Sequence, residues 1–419
     1  MFEKYKKRFL AYANKESFDY TRPSLDPFEY HTYYLTFAKL FGVMDYEKYV
    51  SPVGVVISGI MAATICSITV VHSIQTLQIH IITECGTYLL VMFYKLLVIS
   101  CVIKDKEQFH RLMRALRSDF DYVSTNGVKY RDRYFENQKL TFKVGIGSGL
   151  FAASVGTGMS IAACLALLYY YLTEDKNRDS SRVRPLPFPF WLFDYDLHAT
   201  PIYEVLFTLS IIFTFFHTYS YVFMVLSQLI WVREITCKAD IVIWGIQDLM
   251  VDILPAKNKE ESELYKQLIR HRMRDIISMH HSMSELMQDF ANTYTKVLLF
   301  EQKVAGPVIC LTAYCFAEKM DEGEFHGVLL ILCCSVFIVV LIPSLLCTFL
   351  VEKLQSIGDT CWDVPFWNAG PVVRPYLVLI MQRSMRSLPI VQSGFEDISL
   401  QTYIISRAYS CFNMLRQRS

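Results

Sequence analysis

Charge is what this chain lacks most. Asp, Glu, Lys and Arg make up 19% of its 419 residues while 53% are hydrophobic, against roughly 25% charged in an average soluble protein. That balance argues against a large water-soluble enzyme. A formal net charge of +1 gives no global attraction to nucleic acid, although a neutral total can hide local asymmetry. The first 23 residues carry Lys4, Lys6, Lys7 and Arg8 but no apolar run, so a secretory signal peptide is not expected and the first membrane span must itself target the membrane. Gly145, Gly147 and Gly149 have no following Lys-Ser/Thr pair. They read as sites of close helix packing, not as a phosphate loop. His271 and the His280-His281 pair lack Cys or carboxylate partners at ligand spacing, so no metal site is expected. No cofactor motif, catalytic motif or internal repeat of 20 to 50 residues is visible.

What is present is length without charge. Stretches of about 20 apolar residues, enough to cross about 30 Å of hydrocarbon as a helix, occur near 51–73, 79–103, 144–172, 202–231, 297–317 and 327–351. A seventh, Phe395 to Leu415, contains Glu396, Asp397 and Arg407. Its polar residues are ordered: Ser399, Thr402, Ser406, Ser410, Asn413 and Gln417 recur at steps of three and four, which makes one stripe on a helix. In lipid such a stripe must face protein or water. It either lines a pore or supplies dry contacts between helices.

With seven spans and the N-terminus inside, about 30 basic residues fall on the cytoplasmic side and about 7 outside, which sets the orientation. The C-terminus is then extracellular. The outer loops hold no cysteine, so no extracellular disulfide framework follows. Cys66, Cys101, Cys164, Cys310, Cys333, Cys334, Cys347 and Cys411 fall inside spans and read as small buried hydrophobes.

The long loops fall on the cytoplasmic side. Phe109, Leu112, Leu116 and Phe120 keep helical spacing between Lys104 and Lys139, so span two is expected to continue as an amphipathic helix. From Lys259, Leu264, Leu268, Ile276, Met283, Met287, Phe290 and Val297 keep one apolar face without a break into span five. These helices form a bundle beneath the membrane or lie on its surface. Gly358, Pro365, Gly370, Pro371 and Pro375 are expected to break the chain after span six, and the short apolar run Tyr376 to Met381 to join that bundle. The longest outer loop, 173–200, ends Arg184-Pro185-Leu186-Pro187-Phe188-Pro189-Phe190-Trp191-Leu192-Phe193-Asp194. Prolines that fix φ and a run of aromatics suit either a lid folded onto the helix mouths or an interfacial aromatic belt. Glu84, with His80, Thr83 and Thr87 one turn away, and His217 in span four are the intramembrane polar groups most open to a functional role.

The outer-loop run from Pro187 to Asp194 and the last hundred residues resemble the insect odorant receptor family. The C-terminal part carries most of the likeness: Trp362 and Trp367, then Leu379-Ile380-Met381-Gln382-Arg383-Ser384, then Phe395-Glu396-Asp397-Ile398-Ser399-Leu400-Gln401-Thr402-Tyr403, then Tyr409-Ser410-Cys411-Phe412-Asn413-Met414-Leu415. The family more often has Tyr at Trp362 and Phe at Tyr403. The ending differs from the Thr-Tyr-x5-Gln-Phe pattern of gustatory receptors. The short central cytoplasmic connection resembles a ligand-tuning subunit, not the shared coreceptor.

The resemblance implies an all-α, seven-transmembrane protein with cytoplasmic N-terminus, extracellular C-terminus and a cytoplasmic anchor bundle. Its regions would be an N-terminal segment (1–50), helices one to four (51–231) with a lid (173–200), anchor helices (232–296), helices five and six (297–351), a second anchor segment (352–394) and a pore-lining helix seven (395–417). It implies a subunit of a ligand-gated, non-selective cation channel, a tetramer with odorant coreceptor subunits in the plasma membrane of olfactory sensory neurons. The partners would be a small volatile odorant, permeating cations and membrane lipid, with no cofactor. Ser399, Thr402, Ser406, Ser410, Asn413, Met414 and Gln417 would line the pore, with a gate near Met414. Four copies of Arg418 would repel cations, which favours mixed assembly. The odorant site would lie in the outer half, at His80, Thr83, Thr87, Met159, Ser160, Ala163, Tyr203, Phe207, Ile211, Tyr314, Leu330 and Cys333. Aromatics at spacing four such as Tyr203 and Phe207 also read as plain packing. A gustatory-type or G-protein-coupled chemoreceptor is the competing class. For the G-protein-coupled one, an epitope at Ser419 that labels without permeabilisation excludes the cytoplasmic C-terminus it requires.

Overall fold

The computed structural model describes His31, Tyr34, Leu35 and residues 53–174, 184–188, 190–193, 195–253, 259–321, 323, 327–365 and 372–385. The polar stripe from Ser399 to Gln417, with Met414, lies outside the described residues, as does the 366–371 segment with Trp367.

Among the described residues all regular structure is helical. We number the helices α1 (Val53–Gln75), α2 (Ile79–Lys104), α3 (Lys106–Thr125), α4 (Val128–Glu174), α5 (Ile202–Gln247), α6 (Lys259–Asp321), α7 (Gly327–Asp363) and α8 (Arg374–Ser384). Six of them, α1, α2, α4, α5, α6 and α7, are long and apolar enough to cross a membrane. They correspond to the six long apolar stretches.

Two junctions differ from the sequence reading. Span two does not continue past Lys104: the chain breaks at Asp105, whose backbone N–H still caps α2 on the Cys101 carbonyl at 2.9 Å, and α3 starts afresh. A second turn follows at Gly127, where φ is +98°, a conformation that favours glycine, so α4 begins at Val128. Gly358 does not interrupt α7, which runs on to Asp363. A glycine inside a helix lowers helix propensity by only ~1 kcal/mol, which packing overrides. Pro375 does act at a boundary, in the first turn of α8, where its missing N–H is harmless.

The amphipathic faces find partners. Phe109, Leu112, Met113, Leu116 and Val123 bury one side of α3, and Leu377 and Ile380 bury one side of α8. Helix α6 runs unbroken for 63 residues, about 95 Å if straight at 1.5 Å per residue. It packs along α2, α5 and α7. The largest core lies where α3, α5 and α6 meet, around Trp231. Its ring centroid is 5.0 Å from Phe109 and 5.6 Å from Tyr294, and Phe290 lies 5.1 Å from Tyr294. Removing one such ring would cost roughly 3–5 kcal/mol.

Candidate ligand-binding cavity

Five helices converge on one partly open space. Positions a turn apart lie on one face of a helix, so Leu90, Val91 and Tyr94 of α2 point together, as do Val155, Gly156 and Met159 of α4 and His217, Thr218 and Tyr221 of α5. Phe300, Glu301, Val304, Ala305 and Val308 of α6 and Leu332, Ser335 and Val336 of α7 complete the wall. The cavity measures about 90 Å³. An apolar cavity of ~150 Å³ holds one benzene, so in this state the space suits only a few heavy atoms.

The wall is mostly apolar with a few polar groups at fixed points. The Tyr94 hydroxyl donates to Glu301 Oε1 at 2.5 Å. Thr218 and Ser335 turn their hydroxyls back on their own helices, to the Thr214 and Leu332 carbonyls at 2.7 Å each. Glu301 Oε2, the Tyr221 hydroxyl and His217 Nδ1 are buried and make no close hydrogen bond among the described residues. Among the described residues no Lys or Arg lines the cavity. The buried Lys95, next to Tyr94, instead donates to Ser58 Oγ at 3.2 Å.

The described part of the loop after α4 packs against the helices. Phe188 is buried and meets Tyr88 edge-on at 4.7 Å, in an apolar cluster that includes Met159 and Leu332 of the cavity wall. Trp191 stacks on His72 at 3.6 Å, and its backbone N–H donates to Thr69 Oγ1 at 3.0 Å. The loop is thus seated on the helices.

Elsewhere a polar network ties the helices. Lys238 Nζ donates to Asp119 Oδ1 at 2.6 Å and to Ser282 Oγ at 3.1 Å, joining α3, α5 and α6. One turn away, Gln138 Nε2 donates to Glu234 Oε2 at 3.3 Å, and Gln138 Oε1 pairs with His31 Nε2 at 3.0 Å. Arg272 Nη1 donates to the Asp248, Leu249 and Val251 carbonyls at 3.0, 3.1 and 2.7 Å, tying α6 to the turn that follows α5.

Of the twelve expected ligand residues, Met159 lines this cavity. Thr83 and Thr87 lie one to two turns nearer the loop end of α2. Thr83 Oγ1 receives Cys315 Sγ at 3.1 Å, and the Thr87 hydroxyl bonds the Thr83 carbonyl at 3.0 Å. Ser160 donates to the Gly156 carbonyl at 3.1 Å, and Ala163 is buried. The Tyr203 hydroxyl donates to the Pro185 carbonyl at 2.8 Å, and its ring stacks with Phe207 at 6.0 Å. Ile211 is half-buried in α5, and Cys333 is half-buried beside Leu332. Tyr314 and Leu330 are 46% and 37% exposed. The side chain of His80 lies outside the described residues. The cavity therefore sits deeper along α2, α5 and α6 than the expected site. The sequence reading missed Tyr94, Tyr221, Glu301 and Ser335. The rule that singled out His217, an ionisable group inside a span, applies equally to Glu301.

Helices of this length and apolarity, converging on one cavity, define a multi-span helical membrane protein. A model of the 7tm Odorant receptor family matches residues 87–409, and the chain belongs to that family, one of receptors rather than enzymes. Thirteen chains of solved structures match it. One is the insect olfactory receptor OR5 from Machilis hrabei, at 13% identity and a TM-score of 0.61, covering 93% of this chain and 99% of that one. The same receptor in complex with eugenol matches at 12% identity and a TM-score of 0.70, covering 93% and 98%. No curated protein matches the sequence.

Proposed function

We propose that this odorant receptor is the ligand-tuning subunit of a ligand-gated, non-selective cation channel, and that the cavity between α2, α4, α5, α6 and α7 is its odorant site. The observation that carries the reading is the convergence of five membrane helices on an apolar space that holds unpartnered polar atoms. That is the composition by which small-molecule sites bind and orient a ligand. The solved complex of a family relative with eugenol agrees with a small volatile ligand.

The gating argument is one of volume. The cavity of about 90 Å³ is smaller than the ~150 Å³ that holds one benzene, so a larger ligand that enters it favours an expanded state and shifts the equilibrium toward it. Helices α5, α6 and α7 each extend well beyond the cavity, so a displacement there is carried to both ends of the bundle. We place α3, α8 and the start of α6 in the cytoplasm, in an anchor bundle that joins subunits. Helix seven, 395–417, lines a central pore with Ser399, Thr402, Ser406, Ser410, Asn413, Met414 and Gln417. The assembly is a heterotetramer with odorant coreceptor subunits in the plasma membrane of olfactory sensory neurons, in contact with lipid.

Whole-cell recording with and without the coreceptor, during an odorant panel, tests the reading. The expected result is an odorant-evoked, non-selective cation current that requires this chain. No evoked current in either combination, with the chain at the cell surface, would overturn it. Ser406→Ala, Ser410→Ala and Asn413→Ala should alter permeation or gating; if they do not, the stripe packs between helices.

A further inference from the structure

Glu301 is 5% exposed, and its two carboxyl oxygens differ in what they touch. Oε1 accepts from the Tyr94 hydroxyl, whereas Oε2 makes no close hydrogen bond among the described residues. The amide of Gln228 lies beside the carboxyl and interacts with it, but it is neutral and brings no compensating charge. Among the described residues no Lys or Arg lines the wall, so none of them gives the carboxyl a counterion there. A buried charge without a partner is expensive, and inside a membrane span such a group ordinarily serves a ligand, an ion or a proton. The space beside it is flanked by aromatic rings. Tyr94 and Phe300 lie roughly parallel with centroids 6.2 Å apart, and Tyr221 adds a third ring. Aromatic faces around an acid favour an organic cation over a neutral polar head.

We propose that, if the cavity is the odorant site as argued above, its preferred ligands are small volatile amines bound as ammonium ions, with Glu301 as counterion. The ammonium donates to Oε2, the rings of Tyr94, Tyr221 and Phe300 surround it, and the short hydrocarbon body lies against Met159, Val304 and Leu332. The small cavity volume limits that body to a few carbons without expansion. Alcohols and hydrocarbons of the same shape forfeit the charge pair and bind more weakly.

The test is equilibrium binding of isoamylamine, isoamyl alcohol and isohexane to the purified full chain in lipid nanodiscs, which needs no channel activity. These probes share size and branching and differ only in the head group. For the unaltered protein, the amine is expected to bind at least about tenfold more tightly than the other two, a typical gain for a desolvated charge pair. Glu301→Gln should bring the amine down to the alcohol's affinity and leave the alcohol within about threefold, which also shows that the variant is folded. Glu301→Asp, which keeps the charge, should retain a preference for the amine. Equal binding of amine and alcohol by the unaltered chain, or a preference that survives Glu301→Gln, would overturn the assignment and leave the cavity as an odorant site for neutral ligands. No binding of any probe would overturn the amine assignment together with the cavity's role as the ligand site.

Discussion

Gly156 of α4 and Thr218 of α5 touch so closely that a Cβ added to the glycine would lie 1.6 Å from Thr218 Oγ1 and 2.6 Å from its Cβ. Both residues also line the cavity, so the contact that brings the two helices together also sets the cavity width. Gly156→Ala must therefore push α4 from α5. Overpacking of this kind costs roughly 1–3 kcal/mol, and the expected outcome is a lower thermal midpoint in detergent with weakened ligand response. Thr218→Gly in the same chain, which removes the clashing atoms, should restore both. If Gly156→Ala alone behaves as the unaltered protein does, the helices are not in contact there.

The Lys238–Asp119 pair carries a second expectation. Both side chains are 1% exposed, and Glu234 stands one turn away with Oε1 unpartnered. Lys238→Met would leave two buried carboxyls without a cation. Breaking such a pair from one side costs roughly 3–5 kcal/mol, which should appear as a large fall in folded yield. Replacing both members by apolar residues, Lys238→Met with Asp119→Leu, should recover a substantial part.

His31 links stability to pH. Burial pulls its imidazole from the ordinary 6.5 down to about 4, so the folded chain holds the ring neutral where the unfolded chain protonates it. The stabilisation is complete above about pH 6.5, falls as pH drops toward 4 and then levels off, by up to roughly 3 kcal/mol. Thermal unfolding between pH 7 and pH 4.5 checks this. His31→Gln should flatten that part of the profile, and an equally steep one would place the dependence elsewhere.

Phe188 seats the loop on the helices through Tyr88, and Trp191 does so through His72. If the loop caps the route to the cavity, Phe188→Ala should speed ligand washout about tenfold, a change of roughly 1.4 kcal/mol, with little loss of surface expression. Unchanged washout would leave the loop a structural cap only.

The helical membrane architecture was legible because 20-residue apolar stretches and the α3 and α6 stripes are periodic signals that a single chain displays. The break at Asp105 was not, because Phe109, Leu112 and Leu116 keep their spacing on either reading; only the packing of α3 against α5 and α6 decides it. The site was legible in kind but not in depth. Periodicity assigns Tyr203 and Phe207 to one face of α5, as it does Thr214, Thr218 and Tyr221. Which turn faces a cavity depends on how far neighbouring helices slide along one another, and contacts such as Gly156 on Thr218 fix that slide. Glu301 was within reach of the rule that an acid inside a span has a function. The long apolar stripe of α6 obscured it by reading as one continuous face.

The most direct test of the account is the position of the ligand. Electron cryomicroscopy of the receptor with and without an activating odorant should show added density inside the wall of Tyr94, Met159, His217, Glu301 and Leu332, with α4 and α5 further apart than in the free state. Density confined to the region of Tyr203, Phe207 and Tyr314, with this cavity unchanged, would contradict it.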